Sequence, residues 1–497
     1  MPRRGRALQT SPSVARLPHR AVGGCFQPLK RADLERIVGA ALDILETIGL
    51  ADAPSPVLDD LLTRGATLSP HGRLCLPRAI VEDALARAPR RVDLPGFSPH
   101  TGLTIGERRV HIGTGGAAVQ VLDAETLAYR DTTLADLLAL MQVLDACENI
   151  HYGVRPVVAR DVTDPMEQDL NTAFACLKGT GKPIGVSFHA AAALERAITM
   201  FDAALGAQGA FRATPFCMGV IVHVVPPLRF AQDGVEVLQT CVRQGMIPQI
   251  CSAGQAGATS PVTLAGALAQ GLAECLAGLV LVDHVRPGAP CIYALMPFVS
   301  DLQTGAMTGG GGEGAVASAA AAQLLAHIGL PSTVSAGMTD AKIADVQAGY
   351  EKGYTVALAA HAGADMINLS VGMLGSIMVA SPEAMVIDDD MCGAILRSVR
   401  GIEVSADALD LDAIHRVATG EGHYLGEAQT LARMKTDYVY PTLADRRSVA
   451  DWQSAGSPSL WSRATARVQE ILAEPPRHLS RAAEARVRAA FPIHLPE

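Results

Sequence analysis

Polar and aromatic side chains recur along this chain where short apolar runs give way to turns. His189, His223 and Asp340 are of the types that carry protons in general acid–base catalysis, although a histidine there can equally donate a hydrogen bond to a loop carbonyl. Any one of these residues alone is more simply explained by packing, but together they predict a pocket for a small molecule. The candidate set is Tyr152, Phe188, His189, His223, Gln255, Phe298, Asp301, Gly310, Gly311, Asp340 and Asn368.

A glycine-rich stretch, TGGGGEG at 308–314, immediately precedes a helical pattern. Free backbone N–H groups and the positive end of a helix dipole would suit an anion such as a carboxylate there. Alternatively, the stretch is a flexible strand–helix loop in which Glu313 complements the helix dipole. In either interpretation the loop lies at the end of a strand.

Familiar catalytic motifs are absent from the sequence. It contains no H-E-x-x-H, no G-x-S-x-G, no P-loop and no dinucleotide fingerprint. The ten cysteines include no C-x-x-C pair, so the spacing gives no support for a zinc site. We expect the cysteines to be buried small hydrophobic residues in a reducing, cytoplasmic compartment.

The elements that must position the candidate residues alternate regularly. From residue 109 onward, eight short apolar runs bounded by Gly or Pro are each followed by a segment of helical periodicity. Continuously apolar strands are typical of a parallel sheet covered on both faces. A count of eight predicts a closed (β/α)8 TIM barrel rather than an open doubly wound sheet, with its chemistry at the carboxyl ends of the strands.

The pattern divides the chain into four regions: a basic arm at 1–32, a helical cap at 33–108, the barrel at 109–375 and a helical extension at 376–497. The arm carries Arg and Lys residues but no acidic residue, and no apolar stretch of a secretory signal follows it. A transit peptide is the alternative, but we expect an exposed arm that packs on a neighbouring subunit. Small-residue helices in the barrel likewise favour a homo-oligomer.

Composition excludes some partners. The 497 residues are 49% apolar and 18% charged, which provides a large core, and the net charge of −9 argues against a nucleic-acid partner. The stretch from Leu264 to Val282 is nearly long enough to cross a bilayer. It is rich in Ala and Gly and contains Gln270 and Glu274, so we expect a buried helix and no membrane partner.

Several long motifs, in order, resemble the trimethylamine methyltransferase family. They include LERIVGAALDILETIGL, DLQTGAMTGGGGEG, DVQAGYEKGYTVALAAHAGADMI, MVIDDDMCGAILRSVRGIEV and HYLGEAQTLARMKTDYVYPTLADRRSVADW. The resemblance spans roughly residues 30 to 455. Ala341 and Ala344 depart from the Ser and Pro expected within DAKIADVQAGYEK, and TGGGGEG is more glycine-rich than expected. Both changes predict a substrate that differs from that of other members.

The resemblance implies a (β/α)8 barrel that moves a methyl group from a methylated amine to the Co(I) corrinoid of a separate protein, without binding a cofactor of its own. Archaeal trimethylamine enzymes of the family carry pyrrolysine, whereas this sequence contains only the standard residues. Members without pyrrolysine look like demethylases of quaternary amines, and glycine betaine is the best-known substrate type. The resemblance therefore implies a quaternary or tertiary amine as substrate and a corrinoid protein as partner.

That chemistry needs neither a nucleophile nor a metal from the protein, because a quaternary nitrogen leaves unaided and Co(I) attacks. Aromatic faces attract an ammonium by about 0.5–2 kcal/mol per contact, and Tyr152, Phe188 and Phe298 are the candidates for a sparse cage. The Gly309–Gly312 loop would supply N–H donors to a betaine carboxylate. Two alternatives stay open: a lyase or aldolase using His189, His223 or Asp340, and a non-catalytic binder of small cations.

Overall fold

A computed structural model describes residues 21–369, 371–420 and 422–496 of the chain. Most of the predicted basic arm, residues 1–20, lies outside the described residues. Within the described part of the arm, the Leu29 backbone exchanges hydrogen bonds with the Gln323 side chain, at 3.0 Å and 2.7 Å. This part of the arm is therefore attached to a barrel helix of its own chain.

Eight parallel strands form the central sheet and follow one another in chain order around it. A parallel bridge between Gly113 and Tyr152 joins the first strand to the second and closes the ring, which confirms the predicted TIM barrel. The strands are β1 His111–Ile112, β2 Gly153–Val154, β3 Ile184–Val186, β4 Cys217–Ile221, β5 Ile247–Ser252, β6 Ile292–Leu295, β7 Ser332–Ser335 and β8 Met366–Asn368.

A helix follows each strand and covers the outside of the barrel, as the alternating pattern predicts. These helices are α1 Leu134–Ala146, α2 Pro165–Gly179, α3 Ala191–Leu205, α4 Gln232–Gln244, α5 Leu264–Val285, α6 Gly312–His327, α7 Val346–Ala362 and α8 Pro382–Val399. Helix α7 is capped by the Asp345 carboxylate, which accepts from the Gln347 and Ala348 N–H groups, and it ends at the left-handed Gly363.

Helix α5 is long and apolar enough to cross a membrane, and among the described residues it alone is. Most of it is buried within the protein, including the polar Gln270 and Glu274, so the prediction of a buried helix is confirmed. The cysteines were also predicted to be buried. All ten are free, nine are buried, and Cys25 is exposed.

The amino-terminal end of the barrel is closed by an antiparallel hairpin, Val92–Leu94 with Leu103–Ile105. Val92, Leu94 and Ile105 pack against Met218, Ile292 and other inward-facing strand residues. A substrate can therefore enter the barrel only from the carboxyl ends of the strands. The preceding helical cap consists of the helices Arg31–Asp43, Ser55–Thr63 and Arg78–Arg87, the π-helical turn Ile44–Ile48 and the paired strands Thr67–Leu68 and Leu74–Cys75.

The carboxyl rim carries two small sheets that extend the wall of the barrel. One pairs Gln255–Ala256 with Phe298–Ser300 and Met307–Thr308. The other contains Met373–Leu374, Val379–Ala380, Gln120–Leu122 and Tyr129–Asp131.

The region after α8 is helical, as predicted, and wraps the flank of the barrel. Its helices are Ala406–Leu409, Leu411–Ala418, Ala428–Arg433, Val449–Ser454, Leu460–Leu472 and Arg481–Ala490.

Three consecutive aspartates of α8 attach this helix to three different parts of the chain. Asp388 forms a buried ion pair with Lys352 of α7 at 2.5 Å and accepts the Gly372 N–H. Asp389 accepts the Asn149 N–H before β2, and its burial raises its pKa to about 6. Asp390 accepts four hydrogen bonds from residues 442–444. The IDDD motif is therefore a junction between elements, not a catalytic cluster.

We expect Asp388→Asn to lower the free energy of unfolding by about 3–5 kcal/mol, because the Lys352 ammonium would stay buried beside a neutral amide. Urea denaturation followed by circular dichroism measures this loss. The double variant K352M/D388L should recover most of it, since apolar replacement of a buried pair is often neutral or stabilising. A loss below about 1 kcal/mol in D388N, the range of exposed pairs, would contradict a structural role for this pair.

Candidate functional site

Inside the closed barrel, four buried side chains form a directional chain of hydrogen bonds. The Tyr152 hydroxyl donates to Asn368 Oδ1 at 2.5 Å, and Asn368 Nδ2 donates to Gln249 Oε1 at 3.2 Å. Gln249 Nε2 then donates to Thr333 Oγ1 at 2.9 Å. These four residues, here called the barrel chain, are at most 2% exposed. Tyr152 and Asn368, both candidates from the sequence, are thus brought into direct contact.

Ser335 lies beside this chain. It is the last residue of β7 and pairs in register with Asn368. Side chains alternate along a strand, so Ser335 shares the inward face of Thr333, while Val334 packs in the outer core. Its hydroxyl is buried without a hydrogen bond to any described residue.

Above the barrel chain the inward-facing side chains are apolar, and some of them are partly exposed. Cys251, Ala294 and Met296 pack together, and the partly exposed Val220, Ala253 and Phe298 lie against them. Val220 pairs in register with Gln249, so a partly exposed residue lies next to the buried barrel chain. This mouth is lined by small and apolar side chains, with Phe298 as its aromatic member.

The N–H groups of Gly309 and Gly310 are not free for a ligand anion, so the expectation is wrong for these two residues of the glycine-rich loop. Asp340 Oδ1 accepts the Gly309 N–H at 2.7 Å, and Oδ2 accepts the Gly310 N–H at 3.4 Å. Ser376 donates to the same carboxylate. The protein's own aspartate therefore occupies the site expected for an anion, and a second negative charge would be repelled. Gly311, the residue before α6, is partly buried.

Glu351 supports this arrangement from α7. It accepts hydrogen bonds from the Thr339 hydroxyl, from the Asp340 N–H at 2.9 Å and from Gln347 at 2.9 Å. Tyr354 donates to the Gly310 carbonyl. The polar start of α7 thus fixes the loops at the carboxyl rim, and it places two carboxylates there, those of Asp340 and Glu351.

His189 lies at the rim beside β3 and is half exposed. Its Nδ1 lies 2.7 Å from Asp169 Oδ1, and its backbone N–H donates to Oδ2 at 2.7 Å. Burial raises the pKa of Asp169. Arg155 comes two residues after Gly153 of β2. A Cβ on Gly153 would meet side chains of α1, so position 153 faces the outside of the barrel. By alternation, Arg155 also lies on the outer face of the barrel, where burial lowers its pKa.

His223 is not in the mouth, contrary to the sequence expectation. It is buried against α5, where a Cβ on Gly278 would meet its ring, and its Nε2 bonds the Glu274 carbonyl at 2.9 Å. Burial lowers the pKa of His223 to about 4, so the ring is neutral at pH 7. Glu274 accepts hydrogen bonds from Ser252 and from the Leu228 N–H and so connects β5 to the loop after β4.

The proposed aromatic cage does not form as expected. Phe188 packs with the core between strands and helices, whereas Tyr152 and Phe298 belong to the interior clusters. Phe188 is therefore separated from the other two rings by the barrel wall. The reason is strand alternation, which turns Phe188 to the same side as Val186.

Two further candidates, Gln255 and Asp301, form hydrogen bonds within the rim. Gln255 donates to Ser300 at 2.8 Å and joins adjacent rim strands. Asp301 accepts from the Gln303 N–H and from Thr304 in a local turn, and these bonds lower its pKa. Neither side chain needs a ligand to explain it.

Sequence reasoning missed Gln249, Thr333 and Ser335, which lie within strands and not at their ends. The available signal was the occurrence of polar residues at alternate positions of otherwise apolar strands, as in PQICS and STVS. In a barrel such positions face inward and must be paired or hold a ligand.

Comparisons with a family model and with known proteins point to the same family. The family model described as trimethylamine methyltransferase (MTTB) matches residues 2–490. The chain is 29% identical over 451 residues to a glycine betaine methyltransferase of Desulfitobacterium hafniense Y51, covering 90% of this chain and 92% of the relative. It is 33% identical over 409 residues to a trimethylamine methyltransferase MttB of Methanosarcina thermophila, covering 80% and 82%.

We expect Gly310→Ala to destabilise the protein by about 1–3 kcal/mol, because the new Cβ would lie 2.2 Å from Glu351 Cδ and force this hydrogen-bonded side chain to move. Gly312→Ala is the matched control: a Cβ there meets nothing within 4 Å, and Ala favours the first turn of α6. Thermal unfolding of both variants measures the difference. Equal stability of the two would contradict this account of the loop.

Proposed function

Because the chain belongs to the trimethylamine methyltransferase (MTTB) family and is a methyltransferase, we propose that it moves a methyl group from a quaternary, betaine-like amine to the Co(I) corrinoid of a partner protein. The observation that carries the proposal is the carboxyl end of the barrel. Neutral, partly exposed side chains lie there, the opposite end of the barrel is closed, and the carboxylates of Asp340 and Glu351 hold the adjoining loops.

The reaction itself makes few demands on such a site. Co(I) supplies the electron pair that forms the Co–CH3 bond, and the broken N–CH3 bond leaves its pair on nitrogen. The amine departs as a neutral tertiary amine, and the cobalt becomes formally Co(III). No proton moves, so the protein needs only to exclude water and to align one methyl group with the cobalt.

Recognition of the cation follows from the charges at the rim. Asp340 and Glu351 are fixed by the hydrogen bonds described above, and together they make the rim attractive to an ammonium. Phe298 adds one aromatic face to the mouth. The ammonium therefore lies in the upper part of the mouth, where the cobalt must also approach.

The loops of the carboxyl rim provide a surface for the corrinoid protein. Exposed apolar side chains follow β4 to β8 in these loops, and patches of this kind mark interaction sites. They are Val222, Val225, Val262, Leu302, Ile343 and Met378. A corrinoid protein seated on this surface would cover the mouth and exclude water from the reacting atoms.

We also propose that the protein forms a homo-oligomer and resides in the cytoplasm. The region 402–460 exposes many large apolar side chains, among them Ile402, Leu411 and Leu425, which favours contact with a further copy of the chain. The free, buried cysteines are consistent with a reducing compartment.

The alternatives are less well supported. A lyase or aldolase would need a proton carrier in the mouth, and His223 is excluded by its burial behind the barrel wall. His189 with Asp169 is the remaining acid–base candidate. A non-catalytic cation binder would use the same mouth but would show no methyl transfer.

We expect glycine betaine, or a related betaine, to methylate reduced cobalamin or a Co(I) corrinoid protein in the presence of this chain. Loss of the Co(I) absorption band measures the transfer. His189→Asn should reduce the rate less than about threefold, because a general acid–base residue would contribute about 10²–10⁴. Absence of transfer across a betaine panel would contradict the proposal, and abolition of transfer by H189N would favour acid–base chemistry.

A further inference from the structure

A second cluster of reactive side chains lies on the surface of the chain, around Cys25. Its sulfur is 3.1 Å from His361 Nδ1, and His361 Nε2 is 2.9 Å from Ser398 Oγ. His361 belongs to the last turn of α7 and Ser398 to the last turn of α8. A nucleophile, a base and a group that orients the base are the parts of an activated nucleophile.

The hydrogen bonds of Ser398 fix which ring nitrogen of His361 carries the proton. The Ser398 hydroxyl donates to the Ile395 carbonyl at 2.7 Å, so its oxygen accepts from His361 Nε2–H. In the neutral ring Nδ1 then holds a lone pair, and this lone pair faces the Cys25 thiol. The His361 carbonyl is farther from the sulfur, at 3.6 Å, and already accepts two backbone N–H groups. The nearer acceptor for the thiol proton is therefore Nδ1.

This cluster lies at the amino-terminal end of the barrel. The Gly23 N–H donates to the Arg108 carbonyl at 3.0 Å, shortly before β1 begins, and α7 ends beside this segment before the chain enters β8. The proposed methyl transfer takes place at the carboxyl ends of the strands and does not use these side chains. Cys25, His361 and Ser398 are thus left without a role in that reaction.

A cation lies close to Cys25. A Cβ on Gly24 would be only 2.7 Å from Arg108 Nη1, so the Arg108 guanidinium packs on the residue that precedes the cysteine. Glu107 pairs with Arg109, at 2.9 Å, and among the described residues no acidic side chain pairs with Arg108. The Arg108 guanidinium is therefore available to attract an anionic reagent to the thiol.

The other nine cysteines cannot compete for such a reagent. All of them are buried, whereas Cys25 is exposed. Burial raises the pKa of Cys176 and of Cys251 to about 12, so these thiols stay protonated at neutral pH. Access and a neighbouring base together distinguish Cys25 from the rest.

We propose that Cys25 is a modification site at which a small anionic disulfide forms a mixed disulfide with the chain. His361 Nδ1 takes the thiol proton, and the Cys25 sulfur attacks one sulfur of the reagent. A new S–S bond forms as the old one breaks, and the departing sulfur keeps the electron pair of the broken bond and receives the proton from His361. Cys25 is oxidised, and the departing half of the reagent is reduced to a thiol.

Reaction of the folded, full-length chain with dithiobis(nitrobenzoate), a disulfide that carries two carboxylates, tests the proposal. The released thiolate is coloured, so absorbance gives both the number of reactive thiols and the rate. We expect one thiol per chain to react in the wild type and none in folded Cys25→Ser, whose nine buried thiols should react only after denaturant is added. Release by folded C25S at the wild-type rate would overturn the proposal.

Two pairs of variants test the role of the base. His361→Gln keeps a donor for Ser398 but removes the base, and should lower the rate constant by about tenfold or more. His327→Gln is the matched control in the last turn of α6 and should leave the rate unchanged. S398A should lower the rate about two- to fivefold, because the ring loses the acceptor that fixes its tautomer, and S398T should restore it. Wild-type rates in both H361Q and S398A would overturn activation by His361.

A neutral reagent tests the preference for an anion. We expect Arg108→Gln to slow dithiobis(nitrobenzoate) by about three- to tenfold, because the nearby positive charge is lost, and to leave neutral dithiodipyridine unaffected. H361Q should slow both reagents. Equal rates of the wild type and R108Q with the anionic reagent, or equal slowing of both reagents by R108Q, would overturn the assignment of an anionic disulfide.

Discussion

Pairing of polar atoms inside a closed barrel is the constraint on which this site depends. Strand alternation turns every second residue inward, and water cannot reach the side chains of the lower layers. The polar side chains of the barrel chain are paired by three hydrogen bonds in series, from Tyr152 to Asn368, to Gln249 and to Thr333. Each amide keeps a second N–H, and each amide or hydroxyl oxygen keeps a free lone pair. The polar side chains inside the barrel are therefore explained first by the hydrogen bonds they make with one another.

The rim is organised by two carboxylates. Asp340 and Glu351 hold the glycine-rich loop with hydrogen bonds, and a side chain on Gly310 would collide with Glu351. The glycine content of this loop thus permits a close approach between backbone and carboxylate. Farther from the mouth, Lys352 and the three aspartates of α8 connect the rim to the helices and to the carboxyl-terminal region.

The sequence allowed the architecture to be predicted because the strand–helix alternation is regular and local. Eight apolar runs with a helix behind each leave few topologies, and closure by Gly113 and Tyr152 followed. The side chains of the site were harder to predict. Tyr152 and Asn368 were identified, whereas Phe188 and His223 were placed in the mouth although they face the helices. Which face a residue takes depends on the register of a strand only a few residues long, and no local pattern fixes that register.

The central claim is that the protein confines a methyl donor with a cationic nitrogen and contributes no proton transfer, because cobalt attacks and the nitrogen leaves as a neutral tertiary amine. Single-turnover methylation of a Co(I) corrinoid by saturating glycine betaine, measured as a function of pH, tests this most directly. The account predicts a rate constant that is flat between about pH 6 and pH 9, since no protein group has to donate or accept a proton. A bell-shaped profile that becomes flat in His189→Asn would contradict it.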